Sequence, residues 1–492
     1  MKLIETYGPE REDNNKKHFK IWMGLDKRVP IILNDPMAGG KTYSIPCKDG
    51  LIDLCVQINS NIGAVIIDVP RVENVTDRSL QEGLTLLPMI LNRPVERAET
   101  IHEFHSKLSI VRMSSNDIIK KTLVVLINNT QYFLGGVEKK DDKLIQIIKD
   151  FDLNDDVILI QDEYHKGMSK SCEKTKDDMG WYGNPNDMKF VRYKMGRKFL
   201  NITPYVIGLS ATPLSSMIEG NGKDYYVVPQ IPKAKRVVRT SVIDHVNFFD
   251  FDTKEAVNTI VGRENSLKHL QNFITSIFNK NTTLNYLRDK YNLKIPKIKT
   301  TGIIKLNMNH NERLGCKDLE DFMNRVDVSK NFKWAMTTYE GIRVFEYNST
   351  TKTSTEINCT YVSDQDLYNG MEDPDDDLRF IGVIEKGSLG INIKNLYGAI
   401  SFRQPSTYDS NGNPVINNTL QFCGRPIRLK VMYEDLQNHT HLSKKELDKI
   451  WVEYNSCIYY LPNDDFYQEV YNELRKCYHD KYEVYNKLKK IA

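Results

Sequence analysis

Apolar residues in the first half of the chain come in short unbroken runs rather than in alternation. Pro30–Leu33, Ala64–Val69, Leu123–Ile127, Val157–Ile160 and Val206–Leu209 are short and rich in β-branched side chains. Runs without alternation are how strands buried on both faces read, the pattern of a parallel sheet covered by helices. Helix-length stretches lie between them, Val95–Leu108 and Asp141–Phe151 among them. Strand, helix, strand at this spacing predicts an α/β unit over residues 1–235. The segment Gln230–Arg239 reads as a linker. Residues 254–292 then carry Leu267, Leu270, Phe273 and Ile277 on one helical stripe. Strand-like runs return at 302–306, 343–346, 380–384 and 398–402, which predicts a second α/β unit over 236–430. Residues 431–492 read as a helical C-terminal extension rich in Tyr and Lys.

Length and charge fit this division. At about 150 residues per domain, a chain of 492 residues holds two large units or three smaller ones. Lys and Arg number 68 against 65 Asp and Glu, a net charge of +3. That excludes wrapping of nucleic acid by bulk positive charge. It leaves room for a local basic channel, because salt cuts fields off within about 10 Å. No apolar run approaches the ~18 residues of a membrane-crossing helix. The opening MKLIETYGPERED lacks the apolar core of a signal peptide. The cysteines form no Cys-x-x-Cys pair, so the thiols read as reduced and the chain as intracellular: cytoplasm or nucleoid, or a host cell if it is viral.

Candidate chemistry sits at the ends of the apolar runs. Asn34-Asp-Pro-Met-Ala-Gly-Gly-Lys-Thr42 follows the first of them. Gly39 and Gly40 let backbone N–H groups turn toward phosphate oxygens, Lys41 can reach the terminal phosphates, and the Thr42 hydroxyl can ligate Mg²⁺. Asp35 stands where a full phosphate-loop pattern has its first glycine. The run Val157–Ile160 leads into Gln-Asp-Glu-Tyr-His165. A strand-end Asp holds Mg²⁺ in nucleotide hydrolysis and a neighbouring Glu orients the attacking water, roles that fit Asp162 and Glu163. Gly208-Leu-Ser-Ala-Thr-Pro213 ends another apolar run, and Gln421-Phe-Cys-Gly-Arg-Pro-Ile-Arg428 spaces two arginines for one helix face. Such arginines can clamp a γ-phosphate.

These segments, in this order, resemble superfamily-two helicases and translocases of the DExH group. PMAGGKT at 36–42 looks like motif I, DEYH at 162–165 like motif II, SATP at 210–213 like motif III and QFCGRPIR at 421–428 like motif VI. By position, 65–71 is similar to motif Ia and 385–392 to motif V. The resemblance spans about 34–428. It implies two tandem RecA-like domains, parallel sheets flanked by helices, with ATP held between them and movement along DNA or RNA driven by its hydrolysis. It implies that Gly39, Gly40, Lys41 and Thr42 bind ATP and that Thr42 and Asp162 serve Mg²⁺. Glu163 is then the catalytic base, joined in catalysis by Asp162, Gln421, Arg425 and Arg428. His165, Ser210, Thr212, Gly390 and Asn392 would couple the nucleotide site to movement. Strand contacts, mainly to the phosphate backbone, fall to Arg71, Asn129 and Thr130, with Asn128 and Asn307–Asn309 as further candidates. Ala38 departs from the usual glycine, motif V lacks its usual threonine, and no adenine-reading glutamine motif precedes residue 36.

One alternative in the same class is a double-strand DNA translocase or motor subunit that never separates strands, and a reading of a different class is a non-catalytic helicase-like scaffold. Residues 406–417 contain an Asn-Gly turn and read as a hairpin, with a strand-separating pin as the functional alternative. The acidic stretch Glu372–Asp377 reads as a solvated loop rather than a metal or nuclease site, and 166–198 as a surface insertion. The C-terminal aromatics Trp451, Tyr454, Tyr459, Tyr460, Phe466, Tyr467 and Tyr471 read as packing, with a docking surface for a protein partner as the alternative. No membrane partner is expected.

Overall fold

The computed structural model describes residues 9–34, 42, 44–69, 78–129, 140–164, 195–210, 221–230, 242–249, 260–306, 316–338, 341–358, 361–383, 393–402, 417–427, 430–431, 433–438, 441–481 and 483. The chain divides into two compact units, Met1–Pro232 and Lys233–Ala492.

The first unit is a parallel sheet of seven strands: β1 (Ile31–Asn34), β2 (Ala64–Val69), β3 (Val95–Ala98), β4 (Leu123–Asn129), β5 (Val157–Gln161), β6 (Val206–Ser210) and β7 (Tyr226–Val228). Their spatial order is β3-β4-β2-β5-β6-β1-β7. The apolar runs become these strands for the reason their lack of alternation suggests. Val65 and Ile67 enter a core shared with Ile31, Leu33 and Leu51 on one face. Their neighbours Ala64 and Ile66 enter another, with Phe104, Leu108 and Phe199, on the opposite face. Helices α1 (Pro9–Met23), α2 (Leu51–Ile58) and α3 (Arg78–Leu91) supply the first face, while α4 (Ile101–Met113) and α6 (Lys140–Asp150) supply the second. The short α5 (Asp117–Lys120) lies between these two. One stretch differs from expectation. Val95–Leu108 is not a single helix, because its first residues are edge strand β3 and the helix starts only at Ile101. Thr100 caps that start by accepting from the Glu103 N–H, and the Glu103 carboxylate accepts from the Glu99 N–H. An edge strand exposes alternate residues, so it carries no apolar run.

The second unit is an eight-stranded sheet: β8 (Val242–Phe249), β9 (Thr301–Lys305), β10 (Phe332–Thr338), β11 (Gly341–Asn348), β12 (Thr353–Ile357), β13 (Leu378–Val383), β14 (Leu396–Ser401) and β15 (Ser456–Pro462). The order is β12-β11-β10-β13-β9-β14-β15-β8. Six strands are parallel, and β10, β11 and β12 form an antiparallel meander at one edge. Its outermost strand, Thr-Ser-Thr-Glu-Ile, is too polar to show as a buried run. The long α7 (Ile260–Lys290) lies on the sheet where Gly302 and Gly398 open space for it. A Cβ on Gly302 would stand 2.7 Å from the Phe273 ring, and one on Gly398 2.6 Å from Ile277. Among the described residues six shorter helices follow: α8 (Cys316–Met323), α9 (Asp364–Glu372), α10 (Asn417–Cys423), α11 (Tyr433–Gln437), α12 (Lys444–Asn455) and α13 (Asp465–Cys477).

The helical reading of 431–492 needs correction. Ser456–Pro462 is a strand, buried throughout and seated between β14 and β8. It follows α12 without a gap, so the helical signals on either side mask a run of β-formers that ends in proline. Trp451, Tyr454, Tyr459, Tyr460, Phe466 and Tyr467 are buried in the unit, as packing residues.

Two charged clusters tie the second unit together. Lys280 Nζ lies 3.4 Å from Asp244 Oδ2 and 3.2 Å from Glu453 Oε2, and Lys481 Nζ lies 3.3 Å from Asp244 Oδ1 and 2.6 Å from Glu453 Oε1. Burial pushes the Asp244 carboxyl up, but His245, Lys280 and Lys481 outweigh it and hold it well below the usual range. The second cluster fills the acidic stretch 372–377. Lys299 Nζ, buried, donates to Gly370 O at 2.6 Å and Asp376 O at 2.7 Å, and the Tyr361 hydroxyl donates to Asp376 Oδ2 at 2.5 Å. The loop therefore encloses a lysine brought from far along the chain. Among the described residues no group of three or more His, Cys, Asp or Glu is placed to hold a metal ion. No helix among them is long and apolar enough to cross a membrane.

Candidate functional site

Because every strand of the first sheet is parallel, the strand ends that precede the motif segments open on one edge. Asn34, the last residue of β1, pairs with Ser210, the last of β6. Gln161, the last of β5, pairs with Gly208 on one side and Asp68 on the other. Asp68 and Val69 in turn pair with Asn128 and Asn129 of β4. Residues far apart in sequence are thus brought level with one another.

The turn after β5 is held from both sides. Asp162 N donates to Asp68 O at 2.9 Å, which ties it to β2. Tyr164 N donates to Leu209 O at 2.7 Å, which ties it to β6. Between them Glu163 N donates to Asp162 Oδ1 at 2.9 Å, so the Asp162 side chain closes the turn on its own backbone. Asp162 is buried and Glu163 half-buried. Glu163 has φ +49, a left-handed backbone that non-glycine residues seldom adopt. Most other non-glycine residues with positive φ among the described ones are Asp or Asn, which tolerate it.

Three features at this edge were not singled out from the sequence. Asp68, fully buried, accepts at Oδ2 from Gln161 Nε2 at 3.1 Å. The signal was a lone acid inside the apolar run 64–69. Asn34 Oδ1 accepts from Gln230 Nε2 at 2.8 Å, joining the end of β1 to the segment after β7. Tyr164 is buried with Ile32, Tyr225 and Val227, and the Arg197 guanidinium lies 5.5 Å from the Tyr225 ring.

In the second unit, α10 carries the backbone of Gln421, and Arg425, half-buried, follows it with its N–H donating to Phe422 O at 3.1 Å. This segment and the chain just beyond it rest on three residues, of which the sequence singled out Tyr459 alone, as packing. Lys305, the buried last residue of β9, places Nζ 5.0 Å over the Phe422 ring. The Tyr459 hydroxyl on β15 donates to Cys423 O. Asn455, buried, accepts at Oδ1 from Lys430 N at 2.7 Å and donates through Nδ2 to Val431 O at 3.0 Å, which pins the chain just beyond 428. Burial pushes the Cys423 thiol up to about 12, against the pull of Lys305.

Of the expected site residues, Thr42, Asp162, Glu163, Ser210, Asn128 and Arg425 are described with their side chains, and Asn129 and Gln421 as backbone within their elements. Gly39, Gly40, Lys41, Arg71, Thr130, His165, Thr212, Gly390, Asn392 and Arg428 lie outside the described residues. So do Asn307–Asn309 and nearly all of 406–417.

No family model matches this chain, and no curated protein matches it. Solved structures resemble it at low identity. The ATP-dependent Type ISP restriction-modification enzyme LlaBIII bound to DNA aligns with a TM-score of 0.48 and 13% identity, over 96% of this chain and 32% of that one. The DUF1998 helicase MrfA bound to DNA gives a TM-score of 0.46 and 12% identity, over 98% of this chain and 51% of that one. The Mycobacterium smegmatis helicase Lhr bound to ssDNA and AMP-PNP gives 0.42 and 12%, over 94% and 46%. The chain thus spans from about a third to about a half of these proteins' own length. Likeness at this level leaves the chemistry of this chain to be argued from its own residues.

Proposed function

We propose that this chain is a nucleic-acid-dependent ATPase, a helicase or translocase that couples ATP hydrolysis to movement along DNA or RNA and to strand separation. In this reading residues 1–235 and 236–430 are RecA-like domains, and 431–492 completes the second by placing β15 between β14 and β8. One observation carries the reading. The ends of β1, β5 and β6, which lead into or carry PMAGGKT, DEYH and SATP, stand side by side on one edge of a single parallel sheet. Ligand sites of open α/β sheets form at that edge.

The roles follow from residue chemistry. Gly39 and Gly40 offer backbone N–H groups to phosphate oxygens, and Lys41 adds its charge. Thr42 and Asp162 offer hard oxygen donors of the kind Mg²⁺ takes. Asp162 suits that use because its carboxylate is fixed by the Glu163 N–H. Mg²⁺ bound there neutralises charge on the phosphate oxygens. Glu163 orients the attacking water and accepts its proton. Arg425 and Arg428 stabilise charge that develops on the transferred phosphoryl group. Ser210, His165 and Thr212, with Gly390 and Asn392, pass the nucleotide state to the strand contacts at Arg71, Asn129 and Thr130. A protein partner on the C-terminal region remains outside this proposal, since its aromatics are committed to packing.

Hydrolysis of ATP is measured with and without single-stranded DNA and RNA. Stimulation by one polymer is expected, and no stimulation by either would refute the motor reading. Glu163→Gln should lower turnover about 10²- to 10⁴-fold, the usual contribution of a general base, while nucleotide binding persists. A forked duplex then separates unwinding from translocation alone.

A further inference from the structure

Glu163 takes its left-handed backbone in a turn whose next residue is locked in place by shape. Tyr164 is buried at 2% exposure. Its ring lies over Gly208 so closely that a Cβ there would stand 2.4 Å from Cγ and 2.5 Å from Cδ2. Neither distance is one that a real Cβ tolerates, so the seat exists only because residue 208 is glycine. The other walls are Ile32 of β1, whose Cδ1 would lie 2.9 Å from the same Cβ, and Tyr225 and Val227 at β7. The Tyr225 ring meets Tyr164 edge-on, with centroids 6.4 Å apart. The Tyr164 N–H bond to Leu209 O holds the backbone of the same residue to the strand that carries Gly208. Side chain and backbone of Tyr164 therefore grip β6 together, one residue after the strained position.

A left-handed Glu is costly and persists only where its surroundings over-determine it. On one side Asp162 is bound to β2, and on the other Tyr164 is seated on β6. We propose that Tyr164, seated on Gly208, is a positioning residue that forces the backbone turn at Glu163 and so sets where its carboxylate stands. This rests on the ATPase reading for its functional consequence. Its structural half, the φ of residue 163, stands or falls separately. A small side chain between Glu163 and His165 would leave the seat over Gly208 empty.

The test uses the full chain and four variants. Tyr164→Phe keeps the ring over Gly208 and should hydrolyse ATP at close to the wild-type rate, since the ring fills the seat. Tyr164→Ala empties the seat. It should lose about 100-fold in kcat, the scale of a misplacement near 1 Å, with the Kd for a fluorescent ATP analogue unchanged. Gly208→Ala should do the same by pushing the ring out. Gly208→Ala combined with Tyr164→Ala should be no worse than Tyr164→Ala alone, because the added methyl then meets no ring. Crystal structures of wild type and Tyr164→Ala read φ at residue 163 directly, and it should leave the left-handed region in the variant. Wild-type kcat in Tyr164→Ala, or an unchanged φ, overturns the proposal. Losses from the two single substitutions that multiply in the double variant also overturn it. A wild-type chain without ATPase activity refutes the functional reading instead, and the φ comparison still decides the positioning role.

Discussion

Replacing Lys280 by methionine removes a buried cation and leaves two partly buried carboxylates behind. Lys280 Nζ bridges Asp244 and Glu453 at 3.4 and 3.2 Å, and it joins α7 to β8 and to the end of α12. Breaking a buried pair from one side costs about 3–5 kcal/mol, because the remaining charge is uncompensated. Here Lys481 stays within 3.3 Å of Asp244 and 2.6 Å of Glu453. The loss should therefore fall below that range, at about 2–3 kcal/mol for Lys280→Met. Urea unfolding followed by tryptophan fluorescence measures it, since Trp334 and Trp451 are both buried in the second unit. Adding Asp244→Asn to Lys280→Met should recover a large part of the loss, because Lys481 then pairs with the one remaining carboxylate, Glu453, at 2.6 Å and no charge is orphaned. The pH dependence has a definite sign. Asp244 and Glu453 are both held below their usual values in the folded chain. Their stabilisation is present above the ordinary carboxylate range and fades as pH falls below it toward their lowered folded values, so wild type and Lys280→Met should converge in strong acid. A loss under about 0.5 kcal/mol, typical of an exposed pair, or one that does not shrink in acid, would refute this account.

Two further outcomes can be checked in the same assays. Tyr459→Phe strips the hydroxyl that donates to the buried Cys423 O and should cost about 1–3 kcal/mol of second-unit stability, with a drop in ATPase activity if Arg425 acts as proposed. Burial pulls Lys299 down to about 8 from 10.5, against the pull of Asp376 upward. Its charged form is thus costlier folded than unfolded below pH 8, and that cost lifts as pH rises toward 10.5. Wild type should gain about 3 kcal/mol over Lys299→Met across that window, and a difference in unfolding free energy that stays flat with pH would show the reasoning to be wrong.

The parts of the fold that the sequence made legible share one physical cause. β1, β2, β4, β5 and β6 are buried on both faces, and only such strands need unbroken apolar runs. β3 and β12 lie at sheet edges and carry polar residues, so nothing in their composition marks them. β15 has the composition of a buried strand but begins where α12 ends, and the strong helix starts at Ser443 and Asp464 draw attention away from it. At the site, Asp162, Glu163 and the strand-end Ser210 were legible because carboxylates and hydroxyls stand out against apolar runs. The Tyr164–Gly208 seat was not, because it is a matter of shape between two strands and neither residue is unusual alone. Lys305 and Asn455 escaped for the same reason. Lys305 reaches Phe422, and Asn455 reaches Lys430 and Val431, only in the folded chain.

The place of β1 in the first sheet has a consequence for how the chain is made. Its two neighbours are β6 and β7, and Ile31 must wait for Ile207. With synthesis at roughly 5–20 residues per second, the intervening ~180 residues take about 10–40 s to emerge. For that time Ile31, Ile32 and Leu33 have no strand to pair with, while β2, β4 and β5 can already associate. Within this sheet β1 is thus the first strand to be made and among the last to find its place. A nascent chain arrested before residue 206 should bind a chaperone through the segment 31–33 and release it once β7 has emerged.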